Sequence, residues 1–245
     1  MTSRGERVAV VTGGSGGIGR ATCLRLAKDL SGVVVHYSGN RDSADQVVKD
    51  VIDQGASAIA VQADLSDGEQ VLGLFEQAER AFGRVDVVVN TAGLMLLSPL
   101  AELDFEDFDT MLGVNLRGAF LVTQQAARRV QTGGAIINFS SSVTRLSQPT
   151  YSAYAASKAG VEALTPILAK ELAGRDVTVN SVAPGPVATP LFLKGKPQEA
   201  IDHMAELAPM HRLGEPEDIA EVIAFLAGPA RWVNGQTVFA NGGVA

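Results

Sequence analysis

The chain has 245 residues, of which 46% are hydrophobic and 19% charged, and its formal net charge is −7. This apolar content suffices for one sizeable core, and an acidic chain without a basic block argues against nucleic acid as the main partner. The single cysteine, Cys23, excludes an internal disulfide, and the three scattered histidines argue against a transition-metal site. Because no apolar run is long enough for a membrane span or a signal peptide, we expect a cytoplasmic protein.

Short β-branched runs alternate with longer amphipathic segments along the chain. Strands are predicted at VAVVT, VVVHY, AIAVQA, VDVVVN, AIINFS, VTVNSV and QTVFA. Helices are predicted at residues 18–30, 43–54, 67–82, 105–130, 153–172 and 216–227, the third beginning with capping-box spacing between Ser66 and Glu69. This alternation predicts right-handed crossovers and an α/β fold, a Rossmann-type doubly wound parallel sheet of about seven strands with helices on both faces.

The glycine-rich stretch TGGSGGIG, at residues 12–19, follows the first predicted strand and opens the first predicted helix. Glycines let a backbone approach a pyrophosphate, and a helix N-terminus offers free N–H groups. The stretch contains the dinucleotide-binding spacing G-x-G-x-x-G at Gly14, Gly16 and Gly19, in the strand–turn–helix setting that this motif requires. We therefore predict a single dinucleotide-binding domain over residues 1–245 that also contains the catalytic site.

The same stretch also fits G-x-S-x-G, the nucleophile elbow of α/β-hydrolases, with Ser15 at its centre. Two observations count against an acyl hydrolase. Only a dozen residues precede the turn, so no earlier loop can complete an oxyanion hole, and the last histidine, His211, lies well before the C-terminus. It belongs to residues 184–212, which contain five prolines and no strand signal, and we predict an irregular lid or substrate loop there. For the glycine-rich stretch at residues 12–19, a purely structural turn is a further alternative.

The end of the second predicted strand indicates which dinucleotide is preferred. A site for NAD usually places a carboxylate there, about 20 residues after the glycine motif. Here the strand is followed by Ser38, Asn40 and Arg41, and no carboxylate occurs before Asp42. Since a guanidinium with small polar groups binds a 2′-phosphate that a carboxylate would repel, we predict NADP(H) rather than NAD(H), held by these three residues. The alternative is that Arg41 is a solvated loop residue.

Tyr154 and Lys158 lie four residues apart in a predicted helix and therefore share a face. A neighbouring ammonium lowers the pKa of a phenol, which then becomes a general acid–base nearer neutrality. Tyr151 is two helical turns from Lys158, ~10 Å along the axis, and is the poorer partner.

Five motifs together resemble those of the short-chain dehydrogenase/reductase family in order and spacing. They are TGGSGGIG, NTAG at residues 90–93, the serine run 140–142, YAASK at 154–158 and PGPVAT at 184–189. The resemblance spans nearly the whole chain and is greatest to 3-oxoacyl-[acyl-carrier-protein] reductase-like and polyketide ketone reductase-like members. It implies an NADP(H)-dependent enzyme that reduces a ketone to a secondary alcohol. A non-catalytic cofactor-binding sensor on the same fold remains the alternative.

The resemblance implies four catalytic residues, which are Asn115, Ser141, Tyr154 and Lys158. The family spacing selects Ser141, thirteen residues before the tyrosine, and strand alternation separates it from Ser140 and Ser142. In the implied mechanism Tyr154 protonates the substrate oxygen while Ser141 hydrogen-bonds it. Lys158 tunes the phenol and binds the nicotinamide ribose, and Asn115 holds a water of the proton relay.

The resemblance also implies a cofactor site without a metal. Besides Ser38, Asn40 and Arg41, its residues are Thr12, Gly13, Ser15, Gly17, Ile18, Gly19, Asp64, Leu65, Asn90, Ala92, Gly93, Tyr154, Lys158, Pro184, Gly185, Val187 and Thr189. The family's glycine motif thus falls on Gly13, Gly17 and Gly19, which is a different register from the generic fingerprint.

Apolar segments are predicted to form the walls around a small-molecule ketone or alcohol. They are residues 94–97, 143–146 and the 184–212 loop, including Leu191, Phe192, Leu193 and Met204. Arg128 and Arg129 could receive an acidic acyl-carrier protein, although adjacent arginines are commonly a solvated helix end. By resemblance we expect a homotetramer built through the helices near residues 105–130 and 153–172, with another interface at the C-terminal stretch WVNGQTVFANGGVA.

Overall fold

The computed structural model describes residues 5–245, and their strands form a single seven-stranded sheet. The strands are β1 (Gly5–Thr12), β2 (Leu30–Tyr37), β3 (Ser57–Gln62), β4 (Val87–Asn90), β5 (Ala135–Phe139), β6 (Thr178–Pro184) and β7 (Thr237–Ala240). Their order is β3-β2-β1-β4-β5-β6-β7, and every neighbouring pair is parallel. The predicted doubly wound parallel sheet is therefore confirmed.

Helices connect successive strands and cover both faces of the sheet. They are α1 (Gly17–Leu26), α2 (Arg41–Asp53), α3 (Gly68–Phe82), α4 (Phe105–Leu112), α5 (Ala119–Arg129), α6 (Val143–Leu146), α7 (Ser152–Glu171), α8 (Pro190–Leu193), α9 (Gln198–Glu206) and α10 (Pro216–Ala227). A 3₁₀ turn covers Leu100–Glu102, and a π-helical segment, Gly113–Gly118, joins α4 to α5. Within residues 5–245, no helix is both long enough and apolar enough to cross a bilayer.

Two buried cores form because each strand sends alternate side chains to opposite faces of the sheet. On one face Val11 and Val35 pack with residues of α1, α2 and α10, and Cys23 lies in this core with no exposed surface. On the other face Val10 and Val34 pack with residues of α3, α5 and α7. The strands β4, β5 and β6 are buried along their whole length, as expected of parallel strands covered by helices on both faces.

Several details of the predicted helices are wrong, and the second helix begins at Arg41 and not at residue 43. The first helix ends at Leu26 and not at Leu30, which already begins β2. The third helix is capped by Asp67, whose carboxylate accepts the N–H groups of Glu69 and Gln70, and not by Ser66. The predicted helix at 105–130 is interrupted by the π-helical segment, where the hydrogen-bonding period changes for about one turn.

The segment 184–212 is more regular than predicted. Pro184 still belongs to β6, Val187 forms an isolated parallel bridge with Gly214, and two helices, α8 and α9, follow. The prolines do not break these helices: one is the first residue of α8, and Pro197 immediately precedes α9. A fixed φ and a missing N–H are tolerated at a helix start, which is why proline content is a poor sign of irregularity there.

The sheet order reverses at β1, which pairs with β2 on one side and β4 on the other. Loops that leave the carboxyl ends of two such strands run in opposite directions and open a crevice between them. The glycine-rich turn follows β1 and residues 91–94 follow β4, so both border this crevice.

Conformation distinguishes the two possible registers of the glycine motif. Gly13 and Gly17 have φ of 62° and 50°, in the left-handed region that favours glycine. A Cβ added at Gly19 would lie 2.1 Å from the Gly13 carbonyl oxygen, whereas one added at Gly16 would meet nothing within 4 Å. The turn therefore requires glycine at the three positions of the family-like register.

We expect Gly19→Ala to destabilise the fold by about 2–3 kcal/mol, because the Gly13 carbonyl must move to admit the methyl group. The matched change Gly16→Ala, into open space, should cost less than about 1 kcal/mol. Denaturant unfolding of both variants measures the difference. Equal stability of the two variants would contradict the close approach at Gly19.

Candidate active site

A cleft opens at the carboxyl ends of the central strands, between the glycine-rich turn and the α8–α9 segment. Among its lining residues are Ile18, Gly93, Ser141, Tyr154, Lys158, Pro184, Gly185, Val187 and Thr189, all predicted site residues. The same cleft thus joins the predicted catalytic group with parts of the predicted cofactor site.

The hydroxyls of Ser141 and Tyr154 meet at the wall of this cleft. Ser141 follows the end of β5, and its Oγ accepts the N–H of Val143 at 3.3 Å. Its side chain also lies close enough to the Tyr154 phenol, on the first turn of α7, to act against the rise in the pKa of that phenol. Tyr151, just before α7, contacts Tyr154 edge-on with a centroid distance of 6.3 Å and lines the cleft as well. The predicted serine and tyrosine are therefore adjacent.

Lys158 lies behind the tyrosine, one helical turn further along α7. Its side chain is buried, and its Nζ donates a hydrogen bond to the Phe139 carbonyl at 3.1 Å. The same Nζ lies 5.7 Å from the centroid of the Tyr154 ring. A Cβ added at Gly93 would approach it to 3.4 Å, so the absence of a side chain there leaves space in front of the ammonium group.

Burial shifts the pKa values of both groups, and for Tyr154 the shift is opposite to the one predicted. Desolvation raises the pKa of Tyr154 to about 12, although the Ser141 side chain acts to lower it. Desolvation also lowers the pKa of Lys158 to about 8. Removal of water is the largest cause of both shifts. The phenol is therefore protonated at neutral pH.

Asn115 lies in the π-helical segment, and its side chain holds the loop after β4. Its Oδ1 accepts the N–H of Leu94 at 2.9 Å, and its Nδ2 donates to the Leu94 carbonyl at 2.8 Å. The Nδ2 also lies 3.4 Å from Ser157 Oγ on α7. The structure gives this asparagine a clamping contact between α7 and the loop, and its predicted role in holding a water of the proton relay stays a prediction.

The serines on either side of Ser141 have structural partners. Ser142 Oγ donates to the Ala183 carbonyl and accepts from Asn241, while Ser140 Oγ donates to Glu162 at 2.5 Å. Thr144 Oγ1 also donates to Glu162, at 2.9 Å. Glu162, one turn beyond Lys158 on α7, therefore holds the chain on both sides of Ser141. Sequence analysis missed this residue, although its i+4 spacing from Lys158 was a usable signal.

The glycine-rich turn and the NTAG segment are joined by buried polar contacts. Thr12 Oγ1 donates to Asn90 Oδ1 at 2.7 Å and accepts the Ala92 N–H at 3.2 Å, while Thr91 Oγ1 donates to the Thr12 carbonyl at 2.5 Å. Thr12 has no exposed surface and Asn90 almost none, so both support the crevice from beneath.

The start of α1 fits a diphosphate. The helix has Gly16 as N-cap without a side-chain cap hydrogen bond, and its first turn contains no acidic residue. Gly17 approaches Thr189, whose methyl group would lie 3.4 Å from an added Cβ, and Thr189 itself caps α8 by accepting the Phe192 N–H. Uncapped N–H groups, the positive end of the helix dipole and glycine backbone together form the type of site that anions occupy.

The residues predicted to hold the adenosine end lie at the tips of β2 and β3. Ser38, Asn40 and Arg41 are exposed; Asn40 Oδ1 caps α2, and Arg41 forms an ion pair with Asp45 at 3.3 Å. After β3, Leu65 is buried, while the carboxylate of Asp64 is exposed and accepts the N–H and the hydroxyl of Ser66.

The rival nucleophile Ser15 has no catalytic partner among the hydrogen bonds of residues 5–245. The candidate base His211 is instead exposed on the surface, where its Nδ1 lies 2.9 Å from Glu206. The elbow arrangement predicted by the alternative motif is therefore not formed.

Predicted wall segments contribute only part of their residues to the cleft. Met95, Val143, Leu146, Leu191, Phe192 and Met204 line it, together with Tyr151 and with Gln148, which was not predicted as a wall residue. Leu193 is not among the lining residues. Of the two adjacent arginines, Arg128 is exposed, whereas Arg129 forms an ion pair with Glu79 and lies over the Phe75 ring.

We expect Lys158→Met to stabilise the protein at pH 7 by up to about 3 kcal/mol, because a pKa lowered to about 8 reflects the cost of burying the charge. The lost hydrogen bond to Phe139 offsets part of this gain. Between pH 8 and 10.5 the unfolded lysine binds a proton that the folded one has lost, so the gain should shrink there and be absent above this window.

Unfolding free energies across pH 6–11 test this, with Lys170→Met as the control at an exposed lysine of the same helix. A stability gain of Lys158→Met that is independent of pH, or that equals the gain of Lys170→Met, would contradict a costly buried charge at Lys158.

The similarity to known proteins covers all residues of the candidate site beyond Thr12. A protein-family model described as enoyl-(acyl carrier protein) reductase matches residues 13–245. The chain is 45% identical to a short-chain type dehydrogenase/reductase of Picea abies, with 98% of this chain and 92% of the relative aligned. It is 43% identical to the chloroplastic NADPH-dependent aldehyde reductase-like protein of Arabidopsis thaliana, with 97% and 93% aligned. It is 38% identical to the 3-oxoacyl-[acyl-carrier-protein] reductase FabG of Staphylococcus epidermidis, with 98% and 99% aligned.

A solved structure agrees with these relatives. The angucycline C-6 ketoreductase LanV with bound NADP superposes with a TM-score of 0.93 at 35% identity, covering 98% of this chain and 96% of that one. The sheet order, the cleft and the length of these alignments lead to the same assignment. The chain is an enzyme of the short-chain dehydrogenase/reductase family, an NAD(P)-dependent oxidoreductase.

Proposed function

We propose that this enzyme reduces a ketone to a secondary alcohol, with NADPH as hydride donor and Tyr154 as the acid. The observation that carries the proposal is that Ser141, Tyr154 and Lys158 line one cleft, which also reaches the start of α1 after the glycine-rich turn. Two hydroxyl groups on the wall of one cleft suit a carbonyl oxygen that gains negative charge. The bound nicotinamide would supply the hydride to the carbonyl carbon.

The proposed step leaves no charge on the product. As the carbonyl carbon gains a hydride, its oxygen takes the proton of Tyr154, and Ser141 donates a hydrogen bond to that oxygen. The phenol holds its proton at neutral pH, as the proposed role requires, and its raised pKa in the protein without cofactor means that Lys158 and Ser141 would have to stabilise the phenolate as the proton leaves. Lys158 would stabilise the phenolate that forms, and Asn115 would hold the loop and helix around a water that restores the proton.

The cofactor would lie along the crevice with its diphosphate at the start of α1. The uncapped helix end and the left-handed glycines there support this position. Gly93, Pro184, Gly185, Val187 and Thr189 border the cleft where the nicotinamide half would extend. We propose NADP(H) over NAD(H), since exposed Arg41 with Ser38 and Asn40 would receive the 2′-phosphate, and two of the compared proteins are named for NADPH or contain NADP.

The substrate is proposed to be an acyl or other hydrophobic ketone, because the cleft walls beyond the hydroxyl pair are mostly apolar. An acyl-carrier protein is a candidate carrier of the substrate, and exposed Arg128 would contact it on a chain whose net charge is negative.

We further propose a cytoplasmic homotetramer. Phe105 and Ile167 on α4 and α7 are 84% and 56% exposed, and Trp232 near the C-terminus is fully exposed.

We expect Tyr154→Phe to lower kcat for ketone-dependent NADPH oxidation by at least about 100-fold while NADPH binding is retained, because only the proton donor is removed. Ser15→Ala should keep its kcat at saturating NADPH, since Ser15 is a predicted cofactor contact and is a nucleophile only in the rival hydrolase mechanism. Steady-state rates over a panel of ketones measure kcat for both variants, and fluorescence titrations measure their NADPH binding. Full activity of Tyr154→Phe would refute the proposed acid.

We expect Arg41→Ala to raise the Kd of NADPH about 10-fold or more and that of NADH little, because only NADPH has the 2′-phosphate. Asp45→Asn provides the matched control: it removes the ion-pair partner but keeps the guanidinium, so NADPH affinity should be unchanged or higher. Equal losses for the two cofactors in Arg41→Ala would exclude Arg41 from phosphate recognition.

A further inference from the structure

His36, at the end of β2, connects two loops beneath the crevice. Its ring is buried, with 1% of the residue exposed. The ring Nδ1 lies 3.0 Å from the Gly13 backbone nitrogen, and Nε2 lies 3.0 Å from the Ala63 carbonyl oxygen. Its own carbonyl accepts the Gly14 N–H at 2.9 Å. One residue therefore holds both the glycine-rich turn and the chain that leads to Asp64.

These two ring contacts admit one protonation state. The Gly13 N–H is a donor, so Nδ1 must be an unprotonated acceptor, and the Ala63 carbonyl requires a hydrogen on Nε2. The ring is thus neutral with its proton on Nε2. If Nδ1 gained a proton, its N–H would face the Gly13 N–H at 3.0 Å. Two donors cannot form a hydrogen bond with each other, so Gly13 would move away from the ring.

The surroundings of the ring also favour the neutral form. Desolvation lowers the pKa of His36, and the Ala63 hydrogen bond and the negative charge of Asp64 oppose this only in part. Residues 10–16 of β1 and its turn, and residues 61–63 of β3, contain no ionisable side chain. Asp67, at the start of α3, caps that helix through the N–H groups of Glu69 and Gln70.

We propose that His36 is a positioning residue for the dinucleotide site, which holds the glycine-rich turn in its binding conformation only while its imidazole is neutral. Cofactor affinity then falls as the pH drops below the pKa of His36 and, by linkage, bound cofactor opposes protonation of the ring. This inference rests on the proposed cofactor site. The apparent Kd should rise by up to about 10-fold for each pH unit below that pKa, because only the neutral fraction binds tightly.

The test compares NADPH and NADH binding to full-length protein by fluorescence titration between pH 5 and 8. His36→Asn keeps an acceptor for the Gly13 N–H and cannot gain a proton, so its Kd should lack the acid-dependent rise of the parent protein. His36→Phe, which has no acceptor, should bind weakly throughout that range. The 2′-phosphate of NADPH titrates equally in all variants, so the difference between variants isolates the histidine.

A double variant, His203→Asn with His211→Asn, removes the other two histidines of the chain and should keep the parent pH profile. Imidazole NMR of the protein with and without NADP should show a lower His36 pKa in the complex. The same pH profile in His36→Asn and the parent, or an unchanged pKa on binding, would overturn the inference. Absence of NADPH and NADH binding by the parent at every pH would instead refute the proposed cofactor site.

Discussion

The close approach of two backbone segments at the carboxyl ends of β1 and β4 is the constraint on which the site depends. Gly19 lies against the Gly13 carbonyl, and a side chain on Gly13 would lie about 3 Å from Ala92. A hydrogen bond between Thr12 and Asn90 then pairs the buried polar side chains at these two strand ends. The N-terminus of α1 then borders the crevice without a side-chain cap and without an acidic residue in its first turn.

Catalytic groups are brought to the same crevice by one helix. Along α7, Tyr154, Lys158 and Glu162 follow each other at intervals of one turn, and each faces the chain around the end of β5. Glu162 holds the residues flanking Ser141, Lys158 binds the Phe139 carbonyl, and Tyr154 meets Ser141. The helix thereby organises the loop that supplies its catalytic partner.

Burial is the main cause of the shifted pKa values of Tyr154 and Lys158. Loss of hydration raises the pKa of Tyr154 and makes the charged form of Lys158 costly. The buried charge of Lys158 is a stability cost at a site that is built for function. The same desolvation applies to His36, where a neutral ring is needed to accept the Gly13 N–H.

The sequence by itself determined the sheet, the two-sided cores and the family-like motif positions, because apolar runs, glycine spacing and i,i+4 pairs are local properties. It also placed Asn115, Ser141, Tyr154 and Lys158 on elements that meet. Only the tertiary structure decided the direction of the Tyr154 pKa, the helices within 184–212, the helix-capping role of Asp67 and the contacts of His36 and Glu162. These depend on desolvation and on partners distant in sequence, which no local pattern records.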